Sequence, residues 1–170
     1  CFRQAVINLL YGKSNTGLVM VRENFQTFRE DYYSDQMMPD GLPSPRANIR
    51  KILQHCRGFL ERFPNHENIL FQGSTGVGKT FLSHCIAKEI MDKGYTCVYT
   101  TAFQLFDYLA KHTFQREKEE DTERSLNMIF QCDLLIIDDL GTEMVNKFVV
   151  SQLFHSLNER LIREKSTIIS

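Results

Sequence analysis

At 170 residues, with 42% hydrophobic and 24% charged residues, the chain is long enough to bury one core and has the make-up of a soluble globular protein. A formal net charge of −1 removes any charge-based argument for nucleic-acid binding. No stretch reaches the ~20 apolar residues of a membrane span, so no membrane partner is expected.

The first residues also lack the apolar run and cleavage site of a secretory leader. The five cysteines (Cys1, Cys56, Cys85, Cys97 and Cys132) form no C-x-x-C pair and fit reduced thiols in the cytoplasm. Cys85 and Cys97 sit in apolar patterns and are expected in the core.

Residues 1–44 read as an irregular arm or linker. Ala5 to Tyr11 suits a short helix, and Gly12, Ser14, Asn15 and Gly17 are structure breakers after it. Phe25, Phe28, Tyr32 and Tyr33 are expected to pack on the core, with contact to a bound base as the alternative. Ser44-Pro45 then reads as a helix start, because Ser caps and Pro suits the first helical position. Ile49, Ile52, Leu53, Cys56, Phe59, Leu60 and Phe63 recur at helical spacing.

From Asn68 the pattern becomes βαβ. Asn68–Gln72 is a short strand running into Gly73, Thr80–Lys93 a helix ended by Gly94, and Thr96–Thr100 a second strand. Thr101 caps a helix carrying Ala102, Leu105, Phe106 and Leu109. The mixed charges of Arg116–Arg124 suit a solvated face, and Ser125–Phe130 resumes a helix. Leu134–Asp138, apolar on both faces, has the look of a central parallel strand. Asn146–Glu164 is expected as a helix with Val149, Val150, Leu153, Phe154, Leu157 and Leu161 inward. Arg160 and Arg163 are expected to face solvent beside Glu159 and Glu164. Residues 167–170 begin a fourth strand, so the fold class is α/β with a parallel sheet flanked by helices. The opening Cys1 and the interrupted last strand suggest an internal piece of a longer protein.

Gly73-Ser74-Thr75-Gly76-Val77-Gly78-Lys79-Thr80 matches G-x-x-x-x-G-K-[ST], the Walker A phosphate loop. The glycines let several backbone N–H groups converge on an anion, and the helix after them adds its positive dipole end. On this pattern Lys79 reaches the β- and γ-phosphates of ATP and the Thr80 hydroxyl ligates Mg²⁺, with Phe81 completing the cofactor-binding set. Leu134-Leu135-Ile136-Ile137-Asp138-Asp139 is a hydrophobic strand ending in acid, the Walker B pattern. Ligands in parallel sheets sit at the carboxyl ends of strands, which brings Asp138 to the magnesium and Asp139 to the attacking water. The catalytic set is therefore Lys79, Asp138 and Asp139, and the activity ATP hydrolysis.

From about Asn24 onward, "ENFQTFREDYYSD", "SPRANIRKIL", "GSTGVGKTFLSHCIAKEI" and "DLLIIDDLGTE" resemble the AAA+ ATPases of the bacterial DnaC/DnaI-type helicase loaders and the related IstB transposition ATPases. The resemblance implies a P-loop NTPase sheet in the order 5-1-4-3-2, with residues 45–170 supplying strands 1 to 4 of an incomplete core. It implies a DNA-replication role: loading the replicative helicase, touching single-stranded DNA, and self-oligomerising through an ATP interface. Lys111, His112 and Arg116 are weak candidates for DNA phosphate contacts. A transposition helper and a binding module without effective hydrolysis stand as alternatives, with a small-molecule kinase behind them.

The chain departs from the family pattern in carrying Asp139 where most AAA+ proteins have Glu, which implies weak turnover. The sensor 1 polar residue is expected just after Ser170, and Thr100 or Thr101 near a polar switch position touching the Walker B acid. Cys1 resembles the last ligand of an upstream zinc cluster, but one cysteine makes no zinc site, so Mg²⁺ is the only metal expected.

Overall fold

The computed structural model describes residues 16–114, 127–141 and 147–170. The expected helix at 5–11, the run 116–124 with Arg116, the side chain of His112, and Cys1 lie outside the described residues.

Helix α1 (Thr16–Arg22) opens the described chain, so Gly17 is accommodated in a helix rather than ending one. The tertiary reason is Met20, which α1 buries in the main core. Helix α2 (Pro45–Arg62) starts as the sequence implies: the Ala47 N–H donates to Ser44 Oγ at 3.1 Å and Pro45 takes the first turn. Its stripe Ile49, Leu53, Cys56, Phe59 and Leu60 is buried.

Strand β1 (Ile69–Leu70) leads through the glycine loop into helix α3 (Lys79–Asp92). Only two residues of the expected Asn68–Gln72 pair as strand, at one edge of the sheet beside β4, and the Phe71 N–H continues the contact by donating to the Ile169 carbonyl at 2.8 Å. Gly94 closes α3 with φ +87°, and the Gly94 and Tyr95 N–H groups donate back to Met91 and Ile90 carbonyls at 2.9 and 3.1 Å. Strand β2 (Cys97–Thr101) feeds helix α4 (Ala102–Phe114). Here Thr101 and Gln104 cap each other: Gln104 N–H donates to Thr101 Oγ1 at 3.2 Å and Thr101 N–H to Gln104 Oε1 at 3.3 Å. Residues 127–131 are helical. Strand β3 (Leu134–Asp138), helix α5 (Lys147–Ile162) and strand β4 (Ser166–Ile169) complete the fold.

All strand pairings are parallel and the order is β1-β4-β3-β2, the 1-4-3-2 part of the expected order. Period-two alternation splits the core. Cys97, Tyr99, Leu134, Ile136 and Ile168 face α2 and α3, and Val98, Leu135 and Ile137 face α4 and the 127–131 turn. Asp138, two residues after Ile136, therefore emerges on the α3 face.

Helix α5 departs from expectation. Val149 and Leu153 pack on the core, but Val150, Phe154 and Leu161 are exposed, Phe154 by 66%. The buried positions are instead Ser156 and Arg160. Arg160, expected at the surface, is 0% exposed. Its guanidinium donates to the Ile129 carbonyl (2.6 Å), the Ser166 carbonyl and Thr167 Oγ1 (2.9 Å), stitching the 127–131 turn to the start of β4. This polar set satisfies a buried cation that would otherwise be strongly destabilising, which makes the inward position of Arg160 tenable. Arg163 is exposed as expected and pairs with Glu159 at 3.2 Å.

Candidate functional site

The site lies where β1, β3 and α3 meet. The loop Gly73–Gly78 is largely exposed, and two of its glycines need left-handed backbone: φ is +82° at Gly76 and +93° at Gly78. Those conformations cost an L-residue roughly 1–2 kcal/mol, which is why the motif has glycine there. Gly78 is the N-cap of α3 and makes no side-chain cap, so the first-turn N–H groups of the helix open toward the loop. Lys79 Nζ folds back on the loop, donating to the Gly73 and Ser74 carbonyls at 3.0 and 3.1 Å.

Thr80, the second residue of α3, places Oγ1 3.3 Å from Asp138 Oδ1. Two distant segments, 58 residues apart in sequence, thus bring a hydroxyl and a carboxylate together as expected. The donor set is all oxygen, which suits a hard ion such as Mg²⁺. Asp138 is only 3% exposed. Two further hydroxyls hold it: Tyr99 Oη donates to Oδ2, and Ser170 Oγ to Oδ1. Asp139 is exposed, turns out of the strand with φ +57°, and precedes Leu140, whose N–H donates to the Ser170 carbonyl at 2.8 Å.

The polar switch position is corrected. Thr100 Oγ1 donates to the adjacent Thr101 carbonyl and Thr101 is engaged in the α4 cap, so neither residue's hydroxyl is directed at the acid. Alternation explains Thr100, which points to the opposite face from Asp138; Thr101 stands level with the acid in the register, and it is the cap with Gln104 that engages its hydroxyl. Tyr99 and Ser170 were missed as contacts of Asp138. The same alternation could have found them, since Tyr99 pairs with Ile136 and Ser170 comes two residues after Ile168.

The arm packs beside the loop. Tyr33 Oη donates to the Val77 carbonyl at 3.0 Å, Phe28 stacks on Tyr33 with centroids 6.0 Å apart, and Phe28 meets Phe81 edge-on at 5.5 Å. Together with Gly76, Val77 and Gly78 they line an open cavity of about 440 Å³, in the range of small-ligand pockets. Burial pushes the Tyr33 phenol's pKa up. Tyr32, expected to pack, is 80% exposed, with Arg29 over its ring at 5.1 Å. At α1, Glu23 pairs with His84 of α3.

Lys111, a candidate for DNA phosphates, is tied to Asp107 at 2.7 Å across one helical turn. Among the described residues no cluster of His, Cys, Asp or Glu could hold a metal ion by itself, and no helix is long and apolar enough to cross a membrane.

A family model described as IstB-like ATP binding protein matches residues 46–170. The ATP-binding protein of insertion sequence IS21 from Pseudomonas aeruginosa is 31% identical over 122 residues, covering 71% of this chain and 43% of that protein. The replicative helicase loader DnaC of Escherichia coli (strain K12) is 30% identical over 97 residues, covering 56% of this chain and 39% of that protein. The chain therefore spans less than half the length of either relative. A crystal structure of the DnaC helicase loader superposes with a TM-score of 0.69 at 21% identity, covering 89% of this chain and 77% of that one. The fold is accordingly the AAA+ P-loop fold.

Proposed function

Because the chain belongs to the IstB-like ATP-binding family, we propose that it is the Mg²⁺-ATP switch of a DNA-remodelling protein, acting in replication as a helicase loader. The observation that carries the switch is the 3.3 Å approach of Thr80 Oγ1 to the buried Asp138 carboxylate, at the mouth of the glycine loop. The N–H groups of Gly76, Val77, Gly78 and Lys79 cradle the phosphates, and Gly73, Ser74 and Thr75 complete the loop. Lys79 exchanges the Gly73 and Ser74 carbonyls for the β- and γ-phosphates. Thr80 and Asp138 would hold Mg²⁺, which would supply charge neutralisation at the phosphates when bound. Asp139 orients the attacking water. The base enters the cavity between Phe28, Tyr33 and Phe81, which gives the arm a role in nucleotide binding beyond core packing.

Hydrolysis is slow in this reading. Asp139 is a methylene shorter than Glu, Arg160 is locked in the core and Arg163 is paired with Glu159, so neither arginine stabilises the transition state in cis. A second copy would supply that charge across an ATP interface.

The loader setting is supported by sequence likeness to the replicative helicase loader DnaC of Escherichia coli, 30% identical over 56% of the chain. In it the ATP-bound form grips the replicative helicase and single-stranded DNA in the cytoplasm. Purified protein should bind a fluorescent ATP analogue and retain a hexameric replicative helicase with ATP present. Lys79→Ala should lose both, and Asp139→Asn should bind ATP without turning it over. A folded protein that binds ATP yet never retains the helicase removes the loader setting. The IS21 protein, 31% identical over 71% of the chain, favours a second reading as a transposition helper. ATP-dependent stimulation of a partner transposase would select it.

A further inference from the structure

Asp138 presents two oxygens to two different environments. Oδ1 faces Thr80 and Ser170, whereas Oδ2 accepts from Tyr99 Oη. The terminal torsion of an aspartate is soft and roughly two-fold, so a carboxylate held at one oxygen only is free to swing. Anchoring the second oxygen fixes the direction of the first.

Tyr99 is well built for that anchor. It pairs with Ile136 in the β2–β3 register, one pleat short of Asp138 and on the same face, so its ring spans the gap to the strand end. The ring rests on His84 with centroids 4.8 Å apart and planes inclined by 31°. His84 is in turn held by Glu23 at the end of α1. The phenol is thus clamped between sheet, α3 and arm, with its hydroxyl aimed at an acid that is 3% exposed. In such surroundings a hydrogen bond to a charge is stronger than in water.

We propose that Tyr99 is a positioning residue that locks the Asp138 carboxylate with Oδ1 toward Thr80, so that it meets the nucleotide-bound divalent cation without reorganising. This rests on the Mg²⁺-nucleotide reading of the site. The less specific account is a core tyrosine that happens to satisfy its own hydroxyl. The two differ in what a missing hydroxyl changes. A positioning role alters the cation dependence of nucleotide binding and acts only through Asp138. A packing role alters stability whatever residue stands at 138.

The test is a titration of Mg²⁺ against binding of a fluorescent ATP analogue, in wild type, Tyr99→Phe, Asp138→Asn and the double variant, with each protein's melting midpoint recorded. Tyr99→Phe should raise the half-saturating Mg²⁺ roughly tenfold, the effect of one hydrogen bond to a charged group. Binding in EDTA should stay at the wild-type level. In the Asp138→Asn background Tyr99→Phe should add nothing. The proposal is overturned if Tyr99→Phe keeps the wild-type Mg²⁺ midpoint, weakens binding equally with and without Mg²⁺, or acts equally in both backgrounds. Should Tyr99→Phe alone not fold, recovery of the fold in Tyr99→Phe/Asp138→Asn supports the pairing, because the charge left without its donor has gone. Failure of the double variant as well overturns it. Absence of Mg²⁺-dependent binding in wild type would instead sink the nucleotide reading, and this proposal with it.

Discussion

Gly78→Ala probes the joint between the arm and the glycine loop, and the structure supplies its own control at Gly76. Both glycines are left-handed, with φ +93° and +82°. An alanine is strained there by roughly 1–2 kcal/mol, less the roughly 0.4–1 kcal/mol it gains by restricting the unfolded chain. The surroundings differ. A Cβ at Gly76 meets nothing within 4 Å, while one at Gly78 falls 2.6 Å from Tyr33 Oη. The phenol must then leave the Val77 carbonyl, forfeiting a hydrogen bond of about 1 kcal/mol. Gly76→Ala should therefore cost about 1 kcal/mol and Gly78→Ala about 2 kcal/mol in urea unfolding without nucleotide. Tyr33→Phe removes the clashing oxygen and leaves Cζ 3.9 Å from the new Cβ, an ordinary contact. In that background the two alanines should cost the same. If Gly78→Ala keeps its extra penalty without the Tyr33 hydroxyl, the arm does not dock on the loop through Tyr33.

Arg160→Ala should destabilise by about 3–4 kcal/mol in denaturant melts, because the Ile129 and Ser166 carbonyls and Thr167 lose a buried donor. Arg160→Lys should restore less than half, since one ammonium cannot serve acceptors that a planar fork reaches together. Burial pushes the Cys56 thiol up to about 11 and the Cys85 thiol up to about 12. Both should resist Ellman's reagent at about pH 8 in the native protein and react at once on denaturation. For Asp133, burial raises the pKa, but the Thr96 hydrogen bonds and Lys165 outweigh it and hold the carboxyl below its ordinary 3.8. A lowered folded pKa means stability that is present above 3.8 and lost as pH falls through the folded value. Asp133→Asn should then cost about 1 kcal/mol at neutral pH, a gap that closes in acid; a gap independent of pH would refute the assignment.

How much of the fold was legible in the sequence depends on how locally each feature is encoded. The loop, the caps at Ser44 and Thr101, the stop at Gly94 and the acid closing β3 each sit within a few residues of their cause, and parallel order comes from alternating strands and helices. Helix α5 shows where periodicity fails. Its apolar residues are numerous enough to define several overlapping stripes, and an arginine at a buried position chose among them through acceptors on the 127–131 turn and β4. The contacts of Asp138 show the complementary failure. Thr100 and Thr101 have the expected chemistry at the expected strand end, yet the pleat turns Thr100 away and the cap engages Thr101, so a tyrosine one step back reaches the acid. Residue type marks which hydroxyls exist, and strand parity decides which ones arrive. The arm obeys the same logic: nothing local ties Tyr33 to Val77 or Glu23 to His84, 44 and 61 residues away, but both links end on the segment that carries the glycine loop. The geometry of the loop is therefore set partly by residues outside its own motif, which is why substitutions in the arm should be read out at the candidate nucleotide site.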